Sequence, residues 1–155
     1  MRPEETRFLH QAIEAARRAR ARGDHPFGAV LVDARGQVLL EGENTVVTQR
    51  DCTGHAESNL MRDATKRFTP EELAGTTMYA STEPCAMCAG AIFWGGVRRV
   101  VFALSSAQFG AMVGPGAGGL LMSSREVLER GSVPTQVEGP VELQEARDVH
   151  AGFWG

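Results

Sequence analysis

The chain has 155 residues, of which 43% are hydrophobic and 23% are charged, and its net charge is −3. These values are typical of one globular domain with its own core, so we expect residues 1–155 to form a single domain. Dispersed basic residues argue against a nucleic-acid partner, no stretch is long and apolar enough to span a membrane, and three cysteines give no disulfide framework, so a cytoplasmic location is expected.

The first part of the chain predicts a helix followed by a β-hairpin. Apolar residues recur at helical spacing over residues 4–22, and Gly23 ends that pattern. Residues 27–32 are a short apolar run of strand formers, and after a turn residues 37–43 predict the returning strand. The hairpin should therefore form the start of a sheet on which the first helix lies.

The next segment predicts a loop that delivers a second helix. The loop covers residues 45–54, and the helix runs from His55 to about Arg67. Asp51 and Thr53 stand where that helix needs a cap.

The rest of the chain alternates between strands and helices, apart from a glycine-rich stretch at 110–119 that we interpret as a mobile loop. The expected elements are a strand at 76–81, a helix at 85–94, a strand at 99–104, a helix at 123–130, a strand at 135–138 and a helix at 141–150. A helix between the last two strands lets them run parallel.

Two short motifs predict a catalytic metal site. Cys85 and Cys88 follow Pro84 three residues apart, as expected for two thiols at the first turn of a helix, where the helix dipole favours thiolate. With His55 they would supply three ligands to Zn²⁺ and leave the fourth position for water. Glu57, two residues after the histidine, is placed to carry protons beside the metal.

This His-x-Glu and Pro-Cys-x-x-Cys pattern resembles the zinc-dependent nucleobase, nucleoside and tRNA deaminases. The stretches at 26–30, 42–44 and 81–83 look like the same family, so the resemblance covers roughly residues 5–105. It implies a cytidine-deaminase-like α/β fold, a three-layer α/β/α sandwich around a mixed sheet of about five strands. The implied reaction is hydrolytic removal of an exocyclic amine, with Glu57 moving the protons.

The resemblance also implies the residues that bind the substrate. Asn44 is expected to hydrogen-bond the base or sugar, although an asparagine also suits the turn there. Further contacts are expected from the matched stretches and from an aromatic C-terminal lid, namely from Phe27, Ala56, Glu83, Phe153 and Trp154. For the last two, docking of the tail on its own core is an equal alternative.

The favoured substrate is a small free base or nucleoside, with guanine or a related purine first and cytosine or a triazine analogue as further options. The Pro-Phe-Gly-Ala run looks closest to guanine deaminases, whereas the acidic C-terminal region would repel a tRNA. A tRNA adenosine deaminase remains the alternative. The resemblance further implies a homodimer, for which Ile92, Phe93 and Trp94 offer an apolar face unless they are core residues.

Two rival interpretations concern the metal site. A closed structural zinc site would recruit Cys52, three residues before His55, as the fourth ligand. His25 could be taken for another ligand, but a histidine before a proline in a turn is more often a surface residue or one that supports the ligands from outside.

Overall fold

The computed structural model describes residues 1–155, except for the side chain of Ala117. Its five strands are β1 (Gly28–Val32), β2 (Val38–Glu43), β3 (Thr77–Thr82), β4 (Arg99–Leu104) and β5 (Gln136–Glu138). Its α-helices are α1 (Thr6–Arg22), α2 (Val46–Gln49), α3 (Ala56–Arg67), α4 (Pro70–Ala74), α5 (Ala86–Gly95), α6 (Ser106–Val113), α7 (Ser124–Glu129) and α8 (Gln144–Asp148), and short 3₁₀ helices cover Pro3–Glu5 and Pro115–Ala117.

The strands form one mixed sheet in the order β2-β1-β3-β4-β5. β1 pairs antiparallel with β2 and with β3, whereas β3, β4 and β5 run parallel. The parallel pairs are joined through helices, as the sequence predicts. The carboxyl ends of β3 and β4 therefore lie side by side at one edge of the sheet.

Alternate side chains of the central strands build two separate cores. In β1, Ala29 and Leu31 pack with α3 and α5, whereas Val30 and Val32 pack with α1 and the α8 region. This alternation follows from the period of two along a strand. Helices therefore cover both faces, which confirms the predicted three-layer α/β/α architecture with five strands.

Two glycines let helices lie directly on the sheet. A Cβ on Gly28 would come within 2.2 Å of the carbonyl oxygen of Ala12 in α1. On the other face, a Cβ on Gly42 would come within 2.3 Å of the carbonyl oxygen of Ala56, the first residue of α3. The absence of a Cβ atom at Gly42 therefore allows the start of α3 to approach β2 this closely.

Several local predictions need correction. The loop at 45–54 contains the short helix α2, and the helix predicted over 141–150 shortens to α8. The glycine-rich stretch does not begin as a loop, because α6 continues through Gly110 to Val113. Asp51 and Thr53 do not cap α3: Asp51 accepts hydrogen bonds from the backbone and hydroxyl of Thr53 instead. Within the described part of the chain, the helices are too short or too polar to cross a membrane.

Candidate metal centre and cavity

His55, Cys85 and Cys88 meet because two helices on one face of the sheet begin at the same place. His55 is the N-cap of α3, and Cys85 is the N-cap of α5, with Cys88 one turn further along. The two helices pack against each other. One ligand atom from each of the three residues lies within 4.8 Å of the others.

The donor set fits a tetrahedral zinc ion. Zn–S bonds of about 2.3 Å and Zn–N bonds of about 2.0 Å at a tetrahedral angle put sulfur and nitrogen about 3.5 Å apart. The Sγ of Cys85 and the Nδ1 of His55 are 3.5 Å apart. Cys52 is exposed, and among the described residues the cluster that could hold a metal ion consists of His55, Cys85 and Cys88 without it. The closed four-ligand site is therefore not supported.

The environment of the two thiols favours replacement of a thiol proton by a bound cation. Hydrogen bonds from Cys88 and from His55 lower the pKa of Cys85 to about 4. The pKa of Cys88 is raised, because its thiol hydrogen-bonds to Cys85 and is buried. The pair thus shares one proton, which a bound cation would displace. The hydroxyl of Ser58 lies 3.2 Å from the Sγ of Cys88 and helps to fix that side chain.

Glu57 is a buried carboxyl group on the first turn of α3, only 4% exposed. Burial, and then the nearby Cys85, raise its pKa to about 7. A carboxyl group with such a pKa exchanges a proton readily at neutral pH, as a general acid and base must.

A cavity of about 640 Å³ opens onto this cluster. The floor carries His55, Glu57 and Cys85, and the outer wall comes from α6 and the segment that follows it. The remaining lining residues are His25, Phe27, Asn44, Thr82, Glu83, Ser106, Ala107, Phe109, Gly110, Val113, Gly114, Gly118, Gly119, Leu120, Leu121, Met122, Ser123, Glu126 and Trp154. An apolar cavity with a few convergent polar groups is the usual form of a small-molecule site.

The C-terminal tail supplies one ring to the wall. The indole N–H of Trp154 donates to the Nδ1 of His150, 3.1 Å away, and the Nε2 of His150 faces the hydroxyl of Thr82 at 3.2 Å. The Trp154 ring lies 5.4 Å from that of Phe109 and 6.0 Å from that of Phe27. A planar, unsaturated ligand suits such an aromatic wall.

The residues predicted to bind substrate differ in their positions. Asn44 and Phe27 line the cavity, and the Oδ1 of Asn44 accepts from the backbone of Val46 while its Nδ2 donates no hydrogen bond to the described residues. Ala56 is fully buried in the core beneath β2, and Phe153 lies outside the wall, with the guanidinium of Arg20 over its ring. Their contact with substrate stays a prediction.

Glu83 lines the cavity, but its oxygens are already engaged. Oε1 accepts from the backbone and hydroxyl of Ser106, and Oε2 accepts from the backbone and hydroxyl of Ser124. These hydrogen bonds outweigh burial and lower the pKa of Glu83, so the group is anionic at neutral pH.

The sequence analysis missed Phe109, which lines the cavity, and His150, a buried residue outside the lining whose ring lies 4.9 Å from that of Phe109. His25, expected at the surface or in support of the ligands, lines the cavity 5.0 Å from the Trp154 ring. Burial, and then the charge of His55, lower the pKa of His25, so it is neutral at physiological pH. The sequence signal for a cavity position was that His25 directly precedes the matched stretch 26–30.

Comparisons with known proteins identify a family for the chain. The family model of the cytidine and deoxycytidylate deaminase zinc-binding region matches residues 2–104. A probable cytosine deaminase of Schizosaccharomyces pombe is 40% identical over 149 residues, which are 95% of this chain and 90% of that protein. A tRNA-specific adenosine deaminase of Haemophilus influenzae is 40% identical over 106 residues, 68% of this chain and 61% of that one.

Solved structures share the fold. Guanine deaminase from Bacillus subtilis superposes with a TM-score of 0.64 at 32% identity, covering 86% of this chain and 83% of that one. Guanine deaminase from Nitrosomonas europaea gives a TM-score of 0.78 at 24% identity, covering 98% and 84%.

Proposed function

Because the chain belongs to the cytidine and deoxycytidylate deaminase family and is a deaminase, we propose that it hydrolyses the exocyclic amine of a small free nucleobase and releases ammonia. The observation that carries this proposal is the position of Glu57. A buried carboxyl group with a pKa of about 7 lies beside the three-ligand cluster, on the floor of a cavity with aromatic walls.

We propose Zn²⁺ as the metal, held by His55, Cys85 and Cys88. When bound, it would supply a water molecule of lowered pKa at the open fourth position. This chain's own residues do the rest. Glu57 would carry the two protons of the attacking water in turn, the first to a ring nitrogen of the base and the second to the amine, which leaves as ammonia, so one carboxyl group works in both directions.

The cavity walls would orient the base. Phe27, Phe109 and Trp154 present rings against which a planar base can pack. The side-chain Nδ2 of Asn44 offers a donor to a carbonyl or ring nitrogen of the base. His25, neutral and half-buried at the same wall, can give or accept one further hydrogen bond.

For the identity of the base, cytosine is the first candidate and guanine the second. The relative named probable cytosine deaminase matches across 95% of this chain, so the match extends beyond residue 104 into the part that forms the outer wall. The B. subtilis guanine deaminase structure, which covers 86% of the chain, favours guanine, as the Pro-Phe-Gly-Ala run does. A nucleoside or a triazine amine is a further option for the same cavity.

The test is ammonia release by metal-loaded protein against cytosine, guanine, adenine, cytidine, guanosine and a triazine amine, with a tRNA anticodon stem-loop beside them. We expect turnover on one free base, and loss of at least about 10³-fold in Glu57→Gln with zinc content unchanged. Activity on the stem-loop alone would replace the proposal with tRNA deamination. Substantial activity in Glu57→Gln would contradict the role of Glu57.

A nucleic-acid substrate has little support from charge. The C-terminal region carries Glu138, Glu142, Glu145 and Asp148 against Arg147, and a phosphate backbone needs the opposite sign. We also propose a reducing compartment such as the cytoplasm, since the ligands include two thiols.

We further propose a homodimer, although the apolar face expected from α5 is smaller than its sequence indicated. Ile92 is fully buried in the core, Phe93 is partly buried, and Trp94 is 85% exposed beside Met87. Large exposed aromatic side chains are enriched at protein interfaces. Light scattering on the wild type and on Trp94→Ala measures this directly; a wild-type monomer would refute it.

A further inference from the structure

The carboxylate of Glu83 connects three segments around the cavity: the end of β3, the start of α6 and the start of α7. Glu83 follows the last residue of β3 and stands two residues before Cys85. Its oxygens accept four hydrogen bonds, at 3.0 and 2.8 Å from Ser106 and at 2.9 and 2.7 Å from Ser124. Each oxygen already accepts two hydrogen bonds, so the carboxylate is saturated before any substrate arrives.

The two serines are the first residues of two helices. Ser106 begins α6 and Ser124 begins α7, and in each helix the preceding serine, Ser105 or Ser123, caps a different N–H. The first N–H groups of a helix have no partner within it, and negative charge near them is favoured. Glu83 therefore satisfies one otherwise unpartnered N–H at the start of each helix.

The chain between these two serines is the outer wall of the cavity. Residues of α6 and of the stretch that follows line it, Phe109, Val113, Leu120 and Met122 among them. Apart from Phe109, whose ring packs against the core on the α1 side of the sheet, its packing is slight, because α6 has no fully buried residue and Leu121 is fully exposed.

Few other polar contacts hold this wall in place. Gln108 bonds to Glu142, and Arg125, the residue directly after the wall, bonds to the backbone of Val137, both at exposed positions. The four bonds to Glu83 are partly buried and charge-assisted, which makes them stronger than these.

We infer that Glu83 is a positioning residue that holds both ends of the wall segment, residues 106–124, against the loop carrying Cys85. The inference rests on the proposed function, because it assigns Glu83 a part in enclosing the base that the metal centre attacks. It also replaces direct substrate contact as the role of this residue. Without these four hydrogen bonds, which we call the Glu83 clamp, the wall opens and the base is held less firmly, while the metal centre keeps its ligands.

The test compares Glu83→Gln with Glu72→Gln. An amide nitrogen cannot accept the bonds that one carboxylate oxygen now takes, so Glu83→Gln loses two of them and the charge. Glu72 is the matched control, because it closes the capping box of α4 by accepting the N–H of Thr69, and the cavity lining does not include it. The double variant Ser106→Ala with Ser124→Ala removes two of the same bonds with Glu83 intact, in case Glu83→Gln fails to fold.

Three readouts on the metal-loaded proteins separate positioning from a merely structural role. We expect amide hydrogen exchange over residues 106–124 to quicken at least about tenfold in Glu83→Gln and in the serine double variant. KM for the base should rise about tenfold, with kcat changed by less than about threefold and with zinc content unchanged. Glu72→Gln should match the wild type in all three.

The outcomes decide between the two proposals. Unchanged exchange and unchanged KM in Glu83→Gln would overturn the inference, and so would faster exchange with unchanged kinetics, which would mean that the clamp is structural only. Loss of zinc would also overturn it by placing Glu83 in the metal site. A wild-type protein without turnover on any base would refute the proposed function, which is a different result.

Discussion

His150 should make the protein lose stability in mild acid. Its imidazole is only 3% exposed, between the indole N–H of Trp154 and the hydroxyl of Thr82. Burial, and then the charge of Arg20, lower its pKa from 6.5 to about 4. The Nδ1 atom must stay unprotonated to accept from Trp154, so protonation also breaks that hydrogen bond.

The sign and size follow from proton linkage. Between pH 6.5 and about 4 the unfolded chain binds a proton at this histidine that the folded protein does not, so stability falls as pH falls. The stabilisation is complete above pH 6.5 and is lost through about pH 4. Integration gives a loss of ~2 kcal/mol by pH 5 and ~3 kcal/mol by pH 4.

The measurement is urea unfolding of metal-loaded protein at several pH values from 7.5 to 4.5. The matched variant is His150→Gln, whose amide can accept from Trp154 and donate to Thr82 without titrating. The difference in unfolding free energy between the two proteins should shift by ~2 kcal/mol between pH 7.5 and pH 5. The metal site is common to both and cancels in that difference, so parallel curves would refute the reasoning.

The remaining predictions concern two glycines and the C-terminal tail. Gly42→Ala should lower the free energy of unfolding by roughly 1–3 kcal/mol and lower kcat, because the new methyl group displaces the start of α3, which carries Glu57. Gly90→Ala in α5 is the control: its methyl group meets nothing within 4 Å, so it should raise the free energy of unfolding by about 0.5–1 kcal/mol. Urea unfolding and turnover measurements check both. Trp154→Ala should raise KM about tenfold because Trp154 lines the cavity, whereas Phe153→Ala, which removes a ring outside the wall, should change KM less. Unchanged turnover after deletion of residues 153–155, with folding intact, would rule out the aromatic lid.

The candidate metal centre was predictable because its chemistry is local. The pattern needs only a few residues: a histidine and a glutamate two apart at one helix start, and two cysteines three apart at another. The central strands were predictable for a similar reason: β4 lies over Arg99–Leu104 as predicted, because a run of apolar β-formers has few other stable environments. The glycine-rich stretch misled, because α6 gains its capping box and its bond to Glu83 from residues outside that stretch.

The sequence by itself determined the alternation of strands and helices, the three candidate metal donors and the carboxyl group of Glu57 beside one of them, since each depends on spacing within one short segment of the chain. Only the tertiary structure decided what the cavity presents to a substrate. Phe27, Phe109 and Trp154 come from three distant parts of the chain and contact one another. The carboxylate of Glu83 accepts hydrogen bonds from the first residues of two helices. Such contacts depend on how the layers pack, and the spacing of residues along the chain does not specify them.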